Sequence, residues 1–361
     1  MSIENKVVYL NTAGCGLVND SILQAGVELY KQFAINSSGA SEQWRDVDSY
    51  RVRKTVADFM NAPQENIALI PNFSYAMNAI VHSLKGNEKI LLYKKDYPSL
   101  TIPFVLNHFD ITWIDDEEDN FIIDINKIDT FIKEKKIDIV AISHVQWQSG
   151  FKLDLERLSA ICKQNDVWLI VDATQSLGAI NISLSEWPID VFIASNYKWM
   201  NAGFGTGILF MNNEFLQTYP PVISGNNSKA FTFENGTYSY NANILNFEPG
   251  HLNQFGLNVL AKAIEEKNAI GLKNIEANNM FLTKKLLEEL VQLPVELIGD
   301  PSIDNRASIV IIKDKNGLHD FLQKRNIITT SRNGTIRISM HYHNTEEDID
   351  AIVNAIKDWA K

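Results

Sequence analysis

Two neighbouring stretches decide the fold: residues 167–180, VWLIVDATQSLGAI, and residues 191–211, VFIASNYKWMNAGFGTGILFM. Each begins with an apolar, β-branched run too short for a core helix and stopped by polar residues, as expected of a strand buried on both faces. These strands are expected over 167–171 and 191–194, and a third over 207–211. Asp172 ends the first and Lys198 lies just past the second. In a parallel sheet both fall at the carboxyl edge, where open α/β sheets bind ligands. A lysine placed after a buried strand, between Tyr197 and Trp199, is partly desolvated, which lowers its pKa toward that of a nucleophile. Standing alone, the same lysine would also read as a surface residue at a strand end.

The pattern continues outward. From Asn66 to Met211, strand candidates at 67–70, 89–93, 111–114, 137–143, 167–171, 191–194 and 207–211 alternate with amphipathic stretches. That alternation predicts an α/β domain: a mainly parallel seven-stranded sheet flanked by helices. One helix is expected over 154–165, with Asp154 capping before Leu155, Leu158, Ile161 and Cys162. Residues 219–247, rich in Asn and Tyr and containing Pro220, Pro221, Gly225 and Gly236, read as an irregular connection. Beyond it come a helical pattern over 254–293, short strands at 308–312 and 335–339, and a last helix over 345–360 opened by Asn344 or Thr345. The expected division is an N-terminal arm (1–15), a large domain (16–250) and a smaller C-terminal α+β domain (251–361).

Composition removes other classes. The 361 residues carry 33 Lys+Arg against 44 Asp+Glu, a net charge of −11, with no basic block to grip a phosphate backbone, so nucleic acid is not an expected partner. No run reaches the roughly 18 apolar residues of a membrane helix, and the opening MSIENKVVYLN has no basic-then-apolar leader. A cytoplasmic protein without a membrane partner is expected. Cys15 and Cys162 are too few and too far apart for a disulfide framework or a cysteine zinc site. His341 and His343 could share a strand face but have no third ligand at metal spacing, so no metal is expected. Gly203, Gly205 and Gly207 precede a strand-like ILFM, which favours a tight turn over a dinucleotide loop.

Several motifs in order, NFSYAMN, SHVQWQSGF, VDATQ, SNYK, NFEPGHLN and RIS with NT, resemble those of the class V aminotransferases, fold type I pyridoxal-phosphate enzymes that include cysteine desulfurases, kynureninases and isopenicillin-N epimerase-like proteins. The resemblance runs from YLNTAGCG to RISMHYHNTEEDID. It implies that Lys198 of SNYK carries pyridoxal 5′-phosphate as the internal aldimine and moves the proton at the substrate Cα. Asp172 would keep the pyridine nitrogen protonated and Gln175 would donate to the ring oxygen. Asn72, Phe73 and Ser74 would hold the phosphate at a helix N-terminus, although Ser74 also reads as an ordinary cap. Tyr97 would cover the ring, and Ser195 and Tyr197 would join the cofactor set. His251 and Asn253 match a segment that reaches the neighbouring subunit's phosphate, which implies a homodimer with a shared site; His251 reads equally as structural. Arg337, with Arg332 as a second candidate, would hold the substrate carboxylate.

Departures from the family bear on the reaction. No cysteine lies in the C-terminal domain, which argues against a mobile-loop thiol desulfurase. Gln175 stands where a kynureninase has His, and ISGNN replaces its Gly-Trp segment. Trp147 stands where many desulfurases have Asn, so either Gln146 makes the ring-oxygen contact or the pocket differs, and Trp147 walls the substrate pocket or fills the core. Transamination of an amino acid is the leading expectation. A lyase or epimerase is the alternative, and a non-catalytic binding module the remote one.

Overall fold

The computed structural model describes residues 7–116, 120–228 and 231–361, so positions 1–6 of the expected arm lie outside the described residues. Seven strands form the large sheet, in the order Ile67–Ile70, Gly207–Met211, Val191–Ser195, Trp168–Asp172, Ile139–Ser143, Lys89–Tyr93 and Asp110–Ile114. Gly207–Met211 runs antiparallel to both neighbours, and the remaining pairings are parallel. Alternate residues serve two cores. Leu169, Val171, Phe192 and Ala194 face one, and Ile170, Val191, Ile193 and Leu209 face the other. Burial on both faces is why these strands read as unbroken apolar runs.

Capping side chains set where the covering helices begin. Asn72 accepts from the Tyr75 amide at 2.9 Å to start Phe73–Ser83, and Asp154 accepts from the Arg157 amide at 3.0 Å to start Leu155–Gln164. Each cap satisfies a backbone donor that a helix start would leave unpaired. Both helices point their N-termini toward the carboxyl edge of the sheet.

The single helical pattern expected over 254–293 is two helices, Gln254–Ile270 and Leu272–Leu290. Gly271 takes φ +88°, a left-handed conformation that breaks the helical path. The core changes along the second helix. Leu257, Leu260, Ile264 and Ile275 belong to the large-domain core, whereas Leu282, Leu286 and Leu290 join Val310, Ile338, Ile352 and Ile356. A four-stranded antiparallel sheet, ordered Leu297–Ile298, Ile309–Lys313, Thr335–Ser339 and Thr330–Arg332, backs this second core. The closing helix Glu346–Trp359 is opened by Thr345 in a capping box with Asp348. Within the stretch read as irregular, Phe231–Glu234 and Thr237–Tyr240 pair as an antiparallel hairpin. Its turn is Asn235-Gly236, both at positive φ, a signal that the surrounding Asn and Tyr residues obscured.

The N-terminal segment ties the two cores together. Val8–Tyr9 pairs with Ile327–Ile328, the Ala13 amide donates to Ser339 Oγ at 2.9 Å, and the Gly16 amide donates to the Tyr197 carbonyl at 2.8 Å. Gly16 is required there, since a Cβ would collide with the Lys198 carbonyl. Among the described residues no helix is long and apolar enough to cross a membrane.

Candidate active site

Strand order converts scattered residues into one cavity. Trp168–Asp172 and Val191–Ser195 are adjacent, so Asp172 and the Lys198 loop emerge side by side, and the helix start at Asn72–Ser74 comes in from the sheet edge. The cavity is lined by Asn72, Phe73, Ser74, Tyr97, Ser143, Trp147, Asp172, Thr174, Gln175, Ser195, Tyr197 and Lys198. Gly207 keeps this corner open: a Cβ there would lie 2.8 Å from the Ala194 carbonyl and 3.2 Å from Asn72 Cα.

Lys198 is 6% exposed and its Nζ makes no hydrogen bond among the described residues. It sits 5.5 Å from the ring centroids of both Tyr97 and Tyr197. Burial lowers its pKa to about 8, Asp172 opposes the shift, and Arg337 and Arg332 reinforce it. Burial pushes Asp172 up to about 6, and the contacts with Thr174, whose amide is 2.8 Å from Oδ1, pull it back. A buried amine without a hydrogen-bond partner among the described residues, in one cavity with a buried carboxylate, marks a candidate functional site.

Two arginines of the four-stranded sheet approach the cavity through Trp147, one of its lining residues, without lining it themselves. Arg337 donates from Nη1 to the Trp147 carbonyl at 2.7 Å, and its Nε is buried without a partner among the described residues. The Arg332 guanidinium lies 5.1 Å over the Trp147 ring, and Trp147 meets Tyr97 edge to face at 5.8 Å. Both arginines lack an ion-pair partner among the described residues, leaving positive charge for an anionic ligand.

A family model described as Aminotransferase class-V matches residues 8–352. The chain belongs to the class V aminotransferase family. Among curated relatives of this class V protein, a probable cysteine desulfurase of Pyrococcus abyssi is 25% identical, with 99% of this chain and 96% of that one covered. An uncharacterized aminotransferase of Bacillus subtilis is 23% identical, with 84% and 82% covered. Of solved structures, the apo cysteine desulfurase from Thermococcus onnurineus NA1 superposes with a TM-score of 0.87 at 24% identity, covering 98% and 94%. The cystine C-S lyase C-DES, in complex with its reaction product cysteine persulfide, does so with 0.88 at 20% identity, covering 98% of each chain.

Class V aminotransferase-family enzymes depend on pyridoxal phosphate, and this cavity fits it: an orphaned amine for the aldehyde, a buried carboxylate for the ring nitrogen, and a helix N-terminus for the phosphate. The structure refines individual expectations. Ser74 is not the cap, because Asn72 is. The Phe73 amide is engaged by Ser195 Oγ at 2.9 Å, and its side chain packs in the core. Gln175 is held by the Trp199 indole at 2.7 Å and by the Ala13 carbonyl at 3.1 Å, which leaves one amide hydrogen for the cavity. Gln146 does not line the cavity; its amide nitrogen lies 3.3 Å from both Asp96 Oδ2 and the Ser143 carbonyl. His251 is exposed in a separate groove with Leu69, Pro71 and Thr206, and Asn253 caps Gln254–Ile270. Gly203 and Gly205 take positive φ in the turn after the lysine loop.

Sequence reasoning missed Asp96. This buried carboxylate accepts from the Ser143 amide, the Ser143 hydroxyl and the Tyr97 amide at 2.9, 2.5 and 2.7 Å, and so fixes the Tyr97 backbone. Its signal was available, since it follows the strand Lys89–Tyr93 at the same sheet edge.

The lysine value has a kinetic consequence. The rate at which cofactor-free protein captures pyridoxal phosphate is expected to rise with pH as the free amine forms, and to level off above about 8. Stopped-flow absorbance checks this; a rate still climbing toward the ordinary lysine value of 10.5 would show that the amine is solvated.

Proposed function

We propose that this enzyme is a pyridoxal-phosphate-dependent C–S lyase acting on a cysteine-type amino acid. The observation that carries the enzyme reading is the buried Lys198 amine, without a hydrogen-bond partner among the described residues, in one cavity with Asp172, near two arginines on Trp147 that have no ion-pair partner among those residues. The names of the desulfurase and C–S lyase relatives support cleavage over transamination. Transamination stands second, favoured by the Bacillus subtilis relative.

Pyridoxal phosphate, when bound, supplies an electron sink that makes the substrate Cα–H acidic. Lys198, as the free amine, takes the Cα proton. Asp172 would face the ring nitrogen, where its carboxylate charge favours the protonated form. Ser74, Ser195 and Tyr197 would hold the phosphate, Tyr97 would lie against the ring, and Gln175 would offer its remaining N–H to the ring oxygen; all five line the cavity. Arg337 clamps the substrate carboxylate with Arg332 beside it, and Trp147 walls the side-chain end.

Cleavage of the Cβ–S bond leaves its electron pair on sulfur. The sulfur leaves at the sulfide level and needs no protein thiol to receive it: with one water, L-cysteine gives pyruvate, ammonia and hydrogen sulfide, and L-cystine gives pyruvate, ammonia and cysteine persulfide. The same reading takes the protein as a cytoplasmic homodimer in which His251 turns toward the neighbouring subunit's phosphate while Asn253 caps the helix behind it; a monomeric mass by light scattering would remove that part.

Incubating the enzyme with L-cysteine, L-cystine and other amino acids, and quantifying pyruvate, alanine, sulfide and pyridoxamine phosphate, tests the reaction. Pyruvate with released sulfur is expected. Accumulation of pyridoxamine phosphate with a keto acid would replace the proposal with transamination. Arg337→Lys is expected to raise KM for the substrate roughly 10- to 100-fold, because an ammonium cannot reproduce the bidentate contact. An unchanged KM would assign the carboxylate to Arg332.

A further inference from the structure

Lys267, in the last turn of Gln254–Ile270, is 1% exposed and has no carboxylate within ion-pair distance among the described residues. A buried amine costs stability that a leucine at the same site would not, so its contacts must compensate. Nζ lies 2.8 Å from Asn201 Oδ1 and 3.1 Å from His341 Nε2, and 4.5 Å over the Tyr342 ring. Both hydrogen-bond partners hold the backbone that follows Lys198. The Asn201 amide donates to the Lys198 carbonyl at 3.1 Å, and its side chain donates to the Leu17 carbonyl at 2.9 Å. His341 Nε2 lies 2.9 Å from the Trp199 carbonyl. Through its indole, Trp199 then orients Gln175 in the cavity.

We propose that Lys267 is a positioning residue for Lys198, acting through Asn201 and His341 to hold the lysine loop from behind. The inference rests on the reading that Lys198 carries the cofactor. One proton arrangement satisfies every contact. His341 donates from Nε2 to the Trp199 carbonyl and accepts at Nδ1 from Asn279 Nδ2, 3.2 Å away. Lys267 is then a neutral amine, donating to Asn201 Oδ1 and turning its lone pair to the imidazole N–H. Burial holds this amine well below its ordinary range, in keeping with that state. His341, one of the two histidines that the sequence leaves without a third metal ligand, thus has a different task.

The test is Lys267→Met, which keeps the stem and deletes the polar atom. The variant is expected to melt no lower than wild type, to bind pyridoxal phosphate about 10-fold more weakly, and to lose about 10- to 100-fold in kcat with KM unchanged, the cost of a slightly misplaced base. A merely structural lysine would lower the melting temperature and leave kcat and cofactor affinity alone, and that result overturns the proposal. Should Lys267→Met fail to fold, Asn201→Gly, which keeps the left-handed backbone at φ +58° and removes both the acceptor and the donor to Leu17, is read by kcat and cofactor affinity alone: the same losses are expected, and unaltered values overturn the proposal. Borohydride reduction followed by peptide mapping separates the two levels. A pyridoxyl label on Lys198 with unaltered Lys267→Met kinetics overturns the positioning role alone. A label on Lys267 overturns both that role and the reading beneath it.

Discussion

Lys198→Ala is expected to lose about 10⁴-fold or more in kcat and every borohydride-stable attachment of pyridoxal phosphate. The size of the effect follows from the site holding a single free amine: Lys198 Nζ lies in the cavity with Asp172 and without a hydrogen-bond partner among the described residues. Lys267, the other buried lysine of depressed pKa, is committed to Asn201 and His341 and cannot substitute for it. Folding should survive, because the Lys198 side chain contributes no hydrogen bond and removing it relieves a desolvated amine. The measurement is absorbance of the purified variant before and after dialysis, with peptide mapping of the reduced adduct. Retention of a covalent cofactor in Lys198→Ala would reassign the lysine.

Asp172→Asn should separate function from stability. The variant is expected to lose about 10²- to 10³-fold in kcat, because an amide cannot hold the ring nitrogen in its protonated form. Its cofactor-free form should be more stable than wild type at alkaline pH. In the folded protein Asp172 titrates near 6, above the ordinary 3.8, so the cost of ionising it is absent below about 4 and grows as pH rises through about 6. The full difference corresponds to roughly 3 kcal/mol. The value near 6 already includes the pull of a charged Lys198, so the cost is largest at pH 9, where the lysine is neutral and the comparison belongs. Denaturant unfolding of the two proteins without cofactor decides it. A variant less stable than wild type at pH 9 would show that the Thr174 contacts outweigh desolvation.

The strands were legible because burial on both faces writes a local signal: 167–171 and 191–194 are apolar throughout, and the strands Trp168–Asp172 and Val191–Ser195 end within one residue of them. Helix starts were legible where a cap is chemically distinct, as at Asp154 and Thr345. The break at Gly271 was not, since the apolar period continues across it and only a positive φ marks the turn. Asp172 and Lys198 could be placed at one sheet edge because both terminate strands, a one-dimensional fact. The family resemblance, not a strand end, offered Gln146 as a ring-oxygen contact; it does not line the cavity, and nothing local indicates that its amide turns back to Asp96, a residue fifty positions away.

What remains is three-dimensional. That Arg337 comes up against Trp147, that Lys267 backs the lysine loop, and that the N-terminal strand threads between two cores all depend on contacts between residues far apart in the chain. Periodicity and strand ends carry information over a few residues, enough to write the sheet and to bring the reactive amine and its carboxylate to one edge. The direction of each polar side chain, and with it the depressed lysine and raised aspartate values, is set by which groups far apart in the chain exclude water and which supply hydrogen bonds.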